Sequence, residues 1–162
     1  MMEKVIVIGG SGSGKSTFAR KLHMMTGLPL YHLDFLFWKP DKTHVSREVF
    51  DRRLDVILGY EKFIIDGEYG RTLRKRIERS DTVFFFDIPL AERLEGARSR
   101  IGTSREDMPW TETEFDPDFE NYIRSYGTEI RPGILDMLSA YPEKNVITFR
   151  CRRDADRYLD AI

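Results

Sequence analysis

The chain has 162 residues, 41% of them hydrophobic and 12% aromatic, which is enough to form the core of one domain of ordinary size. Its 26 basic and 27 acidic residues leave a net charge of −1, so no global field favours nucleic acid or an anionic membrane, and we do not expect direct DNA binding or membrane contact. A single cysteine excludes an internal disulfide, and the apolar run after residue 3 is too short for a signal peptide or a membrane span. We therefore expect a cytoplasmic protein.

The first 60 residues predict two strands and two helices. Val5–Ile8 is a compact apolar run, and the helical pattern that follows it ends at Gly27. Leu28–Leu33 is a second strand-like run that closes on Asp34. After an aromatic segment, Ser46 is placed to cap a helix whose apolar residues recur on one face.

The rest of the chain continues this alternation. The sequences "KFIIDG" and "TVFFFDIP" are continuous apolar runs that end in Asp, a pattern typical of parallel strands covered on both faces. A helix follows Pro89, and residues 101–116 are polar and irregular, which favours a mobile loop. Asp116 is placed to cap the next helix, which Pro132-Gly133 should break or kink. "NVITF" predicts a last strand, and residues 154–162 predict a terminal helix.

Five strands alternating with helices predict one parallel α/β sheet with right-handed crossovers, in a single domain over residues 1–162. In such sheets ligands bind at the carboxyl ends of the strands. Charged or glycine-rich segments follow several predicted strands, beginning at Gly9, Asp34, Asp66, Asp87 and Arg150. We therefore expect the functional site at this edge of the sheet.

The segment after the first strand has the pattern of a phosphate-binding loop, because residues 9–16 match G-x-x-x-x-G-K-[ST] at every fixed position. Glycines let backbone N–H groups point at one anion, and the start of the following helix adds its positive end. Lys15 would reach the β- and γ-phosphates, and Ser16 would supply a hydroxyl to Mg²⁺. The predicted phosphate ligands are Gly9, Gly10, Ser11, Gly12, Ser13, Gly14, Lys15, Ser16 and Thr17. A chance match in a flexible Gly/Ser loop is disfavoured, because a predicted strand and a predicted helix flank the segment.

A phosphate loop alone does not distinguish kinases from GTPases or motor ATPases. The N-K-x-D element with which small GTPases read guanine is absent from the sequence, and the length argues against a multidomain ATPase. Two carboxylates are the candidates for the remaining chemistry. Asp66 is the best candidate for the magnesium water shell, and Asp34 would either orient the acceptor hydroxyl as a base or join the metal shell. For each of them a structural cap of the following turn is the alternative.

Four segments carry a resemblance to known kinases: "YHLDFLFWKP" (31–40), "FIIDGEYG" (63–70), "SREDM" (104–108) and "RPGIL" (131–135). The chain resembles the small P-loop kinases of nucleotides and metabolites, such as adenylate, cytidylate and shikimate kinases. It is more closely similar to the adenylate-kinase-like bacterial family known as topology modulation proteins, and the resemblance spans nearly the full length. It departs from that family at Glu68, where Asn is expected, and in the loop "MPWTETEF", where relatives carry Cys.

The resemblance implies a three-layer P-loop NTPase fold of the nucleoside/nucleotide kinase type, with a five-stranded parallel sheet flanked by helices. It further implies an acceptor-binding segment at about 34–60 and a lid-like loop at about 98–117, with ATP and Mg²⁺ as cofactors.

In the similar kinases, arginines surround the transferring group. The resemblance therefore implies that Arg71 clamps the acceptor and that arginines leading into the lid, Arg98, Arg100 and Arg105, fold over the γ-phosphate. Arg152 and Arg153 correspond to the segment that packs on the adenine ring. A solvated helix face is the alternative for each of them. Among the aromatic residues, Phe35 and Trp38 would either wall the acceptor pocket or cover the sheet edge.

Two classes of function remain open from the sequence. The first is a kinase that transfers the γ-phosphate of Mg-ATP to a small acceptor, such as a nucleotide or a nucleoside. The second is an ATP-binding regulatory protein associated with DNA topology and without a dedicated acceptor, for which the basic segment "RTLRKRIER" (71–79) offers a local patch. A degenerate kinase fold that serves in assembly is a third reading, against which the intact Lys15, Ser16 and Asp66 argue.

Overall fold

The computed structural model describes residues 1–162, and its centre is one five-stranded sheet in which all neighbouring strands are parallel. The strands are β1 (Lys4–Gly9), β2 (Leu30–His32), β3 (Phe63–Asp66), β4 (Thr82–Phe86) and β5 (Asn145–Phe149). Their spatial order is β2-β3-β1-β4-β5, so that β1 is central and β3 and β4 lie on either side of it. The predicted α/β class with five parallel strands is confirmed.

Eight helices form the outer layers: α1 (Lys15–Thr26), α2 (Leu33–Phe37), α3 (Arg47–Leu58), α4 (Leu73–Arg79), α5 (Leu90–Ser99), α6 (Pro117–Glu129), α7 (Arg131–Ser139) and α8 (Arg152–Ala161). A 3-10 turn at Gly70–Thr72 precedes α4. One face of the sheet packs against α1 and α8, and the other packs against α3, α4, α6 and α7. The predicted three-layer arrangement is therefore confirmed.

The alternation of side chains along β1 divides the core between the two faces. Val5 and Val7 enter a cluster of 13 buried residues that includes Phe18 of α1. Ile6 and Ile8 point the other way, into a cluster of 16 buried residues. Because both faces are covered by helices, the strand is apolar at every position, and this is the pattern that predicted a parallel sheet.

Helix ends follow the local chemistry of the sequence. The Ser46 hydroxyl accepts a hydrogen bond from the Val49 N–H at 3.2 Å and begins α3, and Asp116 caps α6 in the same way. The predicted break near Pro132 is confirmed, because α6 ends at Glu129 and α7 begins at Arg131. Proline lies in the first turn of α7, where its missing N–H leaves no hydrogen bond unmade.

Two predicted boundaries were wrong. The second strand covers only Leu30–His32, because Leu33 already begins α2 and is buried there. Asp34 therefore lies in the first turn of a short helix and not at the end of a strand. The terminal helix begins at Arg152, two residues before the expected start.

Residues 101–116 contain neither helix nor strand, as the sequence predicted. A hydrogen bond from the Gly102 N–H to the Glu112 carbonyl closes this loop at 2.5 Å. No helix of the chain is both long enough and apolar enough to cross a membrane.

We expect Phe84→Ala to lower the free energy of unfolding by about 3–5 kcal/mol, because the Phe84 ring is completely buried between the rings of Phe18, Phe149 and Tyr158. Urea unfolding followed by circular dichroism measures the change. Met24→Ala is the control, since this side chain is 81% exposed and its loss should change stability by less than about 0.5 kcal/mol. Equal effects of the two substitutions would contradict the assigned core.

Candidate active site

Two cavities meet where α1 begins. The small cavity, about 260 Å³, is lined by residues that include Gly12, Gly14, Lys15, Ser16, Thr17, Arg100, Arg152 and Ala155. The large cavity, about 620 Å³, is lined by residues that include Ser11, Lys15, Ser16, Asp34, Trp38, Arg100, Arg105, Asp107 and Trp110. Three residues, Lys15, Ser16 and Arg100, belong to the walls of both cavities. An ammonium, a hydroxyl and a guanidinium thus stand where the two spaces join.

The glycine loop between β1 and α1 leaves no room for side chains at two positions. A Cβ atom on Gly12 would collide with the carbonyl oxygen of Arg93 in α5, and one on Gly9 would lie 2.7 Å from the Cβ of Phe86. Gly12 and Gly14 also have φ angles of 78° and 93°, a region that favours glycine. No side chain caps the start of α1 at Gly14, so backbone N–H groups at this helix start have no side-chain acceptor.

The side chains of Ser16 and Asp66 are hydrogen-bonded to each other at the carboxyl edge of the sheet. The Ser16 hydroxyl donates to Asp66 Oδ2 at 2.6 Å, and His32 Nδ1 lies 2.7 Å from the same oxygen. This contact arises because β3 pairs with β1 on one side and β2 on the other, which places Asp66 opposite both Val7 and His32. The expectation that the strand ending in Asp66 lies beside the first strand is confirmed.

The surroundings of Asp66 fit a magnesium ion that keeps most of its water ligands. Asp66 is only 3% exposed, and its Oδ1 atom has no hydrogen-bond partner although it is buried. No group of three or more His, Cys, Asp or Glu side chains forms an all-protein metal site in the chain. Mg²⁺ commonly binds through one or two protein ligands together with water and substrate phosphates, so a single buried carboxylate beside a serine hydroxyl suits it.

Asp34 lies in the wall of the large cavity, held by a tyrosine. The Tyr69 hydroxyl donates to Asp34 Oδ1 at 2.5 Å. Burial raises the pKa of Asp34 above its ordinary value, although the Tyr69 hydrogen bond and the charge of Lys15 oppose the rise. Burial and the nearby Asp34 charge also raise the pKa of Tyr69, so this hydroxyl remains a hydrogen-bond donor at neutral pH.

The structure brings only some of the predicted arginines to the two cavities. Arg100 lies between them, and burial together with the nearby Arg105 lowers its pKa. Arg105 lines the large cavity and donates to both carboxylate oxygens of Asp107, at 3.1 and 2.6 Å. Arg152 lines the small cavity and donates to the Gly12 carbonyl at 2.6 Å, so it braces the glycine loop.

Two of the predicted site arginines, Arg98 and Arg153, lie outside both cavities. Arg98 turns toward α6, where it pairs with Glu120 at 2.6 Å and packs on the Phe115 ring. Arg153 is exposed and lines neither cavity. Arg100, just beyond the end of α5, and Arg152, at the start of α8, were also predicted, and both line the small cavity.

Arg71 also lies outside the large cavity. Its guanidinium donates to both oxygens of Asp51 in α3, at 3.1 and 2.6 Å, and these bonds raise its pKa. It lines a separate cavity of about 390 Å³ together with Phe37, Phe50 and Tyr69. The structure therefore does not bring Arg71 next to Lys15.

Sequence reasoning missed a buried carboxylate behind the glycine loop. Glu68 Oε2 accepts a hydrogen bond from the Gly9 N–H at 2.8 Å, and its Oε1 atom is buried without a partner. Burial raises the pKa of Glu68, whereas the charge of Lys15 and the Gly9 hydrogen bond oppose the rise. The only sequence signal was the departure from the family pattern at this position, which does not by itself indicate burial.

A buried arginine fixes the turn that carries Glu68 and Tyr69. Arg76 of α4 is completely buried and donates to the carbonyls of Gly67 and Tyr69, each at 2.9 Å, and to the Glu68 carbonyl. Burial lowers its pKa to about 10. The turn needs such support because Tyr69 has a φ of 33°, which is unfavourable for a residue with a side chain.

The aromatic residues divide between core and cavity. Phe37 packs against Phe50 and Tyr69 and so belongs to the core. Trp38 lines the large cavity, and the Trp110 ring of the loop 101–116 meets it edge-on with centroids 5.3 Å apart. Phe35 is 45% exposed and lines neither cavity.

No protein-family model and no curated protein matches this sequence. Solved structures do match the fold. Shikimate kinase from Aquifex aeolicus aligns with a TM-score of 0.56 and 18% identity, covering 97% of this chain and 91% of that chain. Shikimate kinase from Bacteroides thetaiotaomicron aligns with a TM-score of 0.60 and 14% identity, covering 99% of this chain and 96% of that chain. The chain therefore shares the fold of these shikimate kinases, and its likeness to topology modulation proteins depends on the motifs quoted above.

We expect Glu68→Gln to change how stability depends on pH. The pKa of Glu68 is raised by folding, so the native protein holds a proton that the unfolded chain releases, and stability falls as pH rises from about 4.5 through the raised value. A glutamine keeps the Gly9 hydrogen bond but carries no proton equilibrium. The Gln variant should therefore lose less stability than the wild type between pH 4.5 and 8, as measured by urea unfolding.

Glu143→Gln is the control for this experiment, because Glu143 is exposed. The expectation fails if the difference in unfolding free energy between wild type and Glu68→Gln does not vary with pH.

Proposed function

We propose that the chain is a phosphotransferase that binds Mg-ATP in the small cavity and transfers its γ-phosphate to a hydroxyl of a small molecule in the large cavity. One observation carries this proposal: Lys15, Ser16 and Arg100 form a wall that the two cavities share. Two ligands that occupied the cavities together would meet at these three side chains. A transfer between them requires such a meeting point, and a protein that only binds a nucleotide does not.

The small cavity provides the groups that a nucleoside triphosphate needs. The glycine loop offers backbone N–H groups at the start of α1, and Lys15 offers a positive charge beside them. Arg152 lies against Gly12 and Gly14 and lines the small cavity, whereas Asp34 lines the large one. We assign the base and ribose to the small cavity, near Arg152 and Ala155, and the terminal phosphate to the shared wall.

Ser16 and Asp66 would hold a magnesium ion, directly or through water. The ion would neutralise charge on the β- and γ-phosphates of the donor. The Ser16 hydroxyl now donates to Asp66 Oδ2, and it would turn its lone pairs toward the metal when one binds. His32 would keep the Asp66 carboxylate in place through the contact at 2.7 Å.

Asp34 is placed to receive the proton of the acceptor hydroxyl. Asp34 and Lys15 both line the large cavity, and the Tyr69 hydroxyl holds one oxygen of Asp34. Its raised pKa makes it a better proton acceptor than an exposed aspartate. Arg100 and Lys15 would then stabilise the charge of the group in transfer.

The alternative of a regulatory protein acting at DNA has less support. It relied on the basic segment 71–79, and four of the five cations there are bonded within the protein. Arg71 pairs with Asp51, Lys75 pairs with Asp55, Arg74 donates to the Tyr141 hydroxyl, and Arg76 is buried. Little positive charge in this segment is left to attract a phosphate backbone.

We expect Lys15→Ala to weaken Mg-ATP binding in calorimetry and to reduce acceptor-dependent ADP release about 10²- to 10³-fold, because it removes a charge at the shared wall. The assay offers Mg-ATP with a panel of nucleosides, sugars and nucleoside monophosphates. Lys75→Ala is the matched control, since this partly exposed lysine pairs with Asp55 and lines neither cavity. The proposal would be refuted if no acceptor increased the rate of ADP release. It would also be refuted if calorimetry showed no binding heat with either Mg-ATP or Mg-GTP.

Arg100→Ala should reduce the rate of transfer strongly, and Arg98→Ala should not. The two arginines are two residues apart, but Arg100 lies at the shared wall and Arg98 pairs with Glu120. Losing a cation that stabilises the transferring group costs about 10²- to 10³-fold in kcat, whereas losing an exposed ion pair costs less than about 1 kcal/mol of stability. Steady-state ADP release compares the two variants, and a larger loss in Arg98→Ala would contradict the assignment.

A further inference from the structure

We propose that the acceptor carries no anionic group and presents a flat apolar ring face beside its reactive hydroxyl. A nucleoside meets both conditions, whereas a nucleoside monophosphate has the ring but also carries an anion. This inference rests on the proposed function and concerns the occupant of the large cavity. Four features of the cavity support it: its fixed charges, the engagement of the nearby guanidiniums, its aromatic wall and its volume.

All but one of the cations that line the large cavity are engaged by the donor or by protein carboxylates. Lys15 and Arg100 also line the small cavity, where the donor phosphates would engage them. Arg105 is bonded to both oxygens of Asp107 and lies 4.0 Å from Glu112. Lys42 remains, and it is exposed in a turn where its φ is 68°. A cation in that position is strongly hydrated and attracts an anion only weakly.

The anions of the large cavity are more numerous than its free cations. Asp34, Glu114 and Asp116 line the cavity, and no basic side chain forms an ion pair with any of them. Once the donor occupies Lys15 and Arg100, the remaining wall is negative. A phosphate or carboxylate on the acceptor would be repelled by these groups and by the donor itself, because like charges repel one another more strongly where the protein displaces water.

Neither Arg71, which the resemblance implied as the clamp of the acceptor, nor the nearby Arg76 is free to bind an acceptor anion. Arg71 donates to both oxygens of Asp51, outside the large cavity. Arg76 donates its hydrogen bonds to the carbonyls of Gly67, Glu68 and Tyr69 and to the Thr72 hydroxyl. A guanidinium fork suits the recognition of phosphate or carboxylate, and the one guanidinium of the large cavity without an ion pair, Arg100, is the one that the proposed function assigns to the donor phosphates.

The apolar part of the wall indicates what the acceptor presents instead. Trp38 and Trp110 meet at right angles with ring centroids 5.3 Å apart, and Met108 and Phe119 line the same cavity. A flat ring can lie against one indole while contacting the edge of the other. The cavity volume of about 620 Å³ lies in the range of small-molecule sites and accommodates a molecule of this size.

The transfer balances without a further reagent. The acceptor hydroxyl oxygen forms a bond to the γ-phosphorus, and the bond from that phosphorus to the β–γ bridging oxygen breaks. The electron pair of the broken bond stays with ADP, and the hydroxyl proton passes to the Asp34 carboxylate. The products are ADP, the phosphorylated acceptor and a proton that Asp34 later releases to water.

The test offers Mg-ATP and the full chain with matched pairs of compounds: each common nucleoside with its 5′-monophosphate, and a hydroxylated ring compound with and without a carboxylate. Coupled ADP release gives kcat/KM for each member. We expect at least one uncharged member to exceed its anionic counterpart by tenfold or more. A preference for the anionic members would overturn this inference and leave the proposed function standing. If Mg-ATP binds in calorimetry but no member of any pair is phosphorylated, both fail.

Two substitutions in the loop 101–116 sharpen the test. Glu114→Lys changes an exposed cavity carboxylate to a cation, so it should raise kcat/KM for the anionic member of a pair relative to the uncharged one. Trp110→Ala should raise KM for the uncharged acceptor about 10- to 100-fold with little change in kcat, and Trp110→Phe should restore it. An unchanged KM in Trp110→Ala, or an unchanged preference in Glu114→Lys, would contradict the inference.

Discussion

The close contact between the glycine loop and its neighbours is the constraint on which the site depends. Backbone meets backbone at Gly12 and α5, and Gly9 lies against Phe86 of β4 without space for a Cβ atom. Because β1 is the central strand, its loop is fixed from both sides of the sheet. This fixes the start of α1, and with it the positions of Lys15 and Ser16 between the two cavities.

Buried charged groups surround this loop, and particular hydrogen bonds hold them in place. Glu68 lies behind the loop on the Gly9 amide, and Arg76 holds the turn that carries it. Arg93, also buried, donates to the carbonyls of Ile88 and Ile123 and so ties α5 to α6. Desolvated charges are costly unless their hydrogen bonds are satisfied. The arrangement therefore favours one conformation of the loop over looser alternatives.

Local sequence patterns were sufficient for the number of strands, the glycine loop and the helix caps, because these depend on neighbouring residues, but not for the bounds of β2. The Ser16–Asp66 contact was also accessible, since parallel strands bring their carboxyl ends together. The arginines were not. Which of Arg98 and Arg100 faces the loop depends on how α5 lies against α6. Arg71 lies outside the large cavity because it pairs with Asp51, twenty residues earlier in the chain. Contacts between distant segments of this kind leave no periodic signal in the sequence.

The edge-to-face pair of indole rings has a practical consequence. Trp38 and Trp110 are the only tryptophans of the chain, and both line the large cavity, one from the segment after α2 and one from the loop 101–116. Their intrinsic fluorescence therefore originates at one place, without a background from elsewhere in the protein. A ligand that enters between them, or a movement of the loop that separates them, would alter the emission of the native, unlabelled protein on the timescale of stopped-flow mixing.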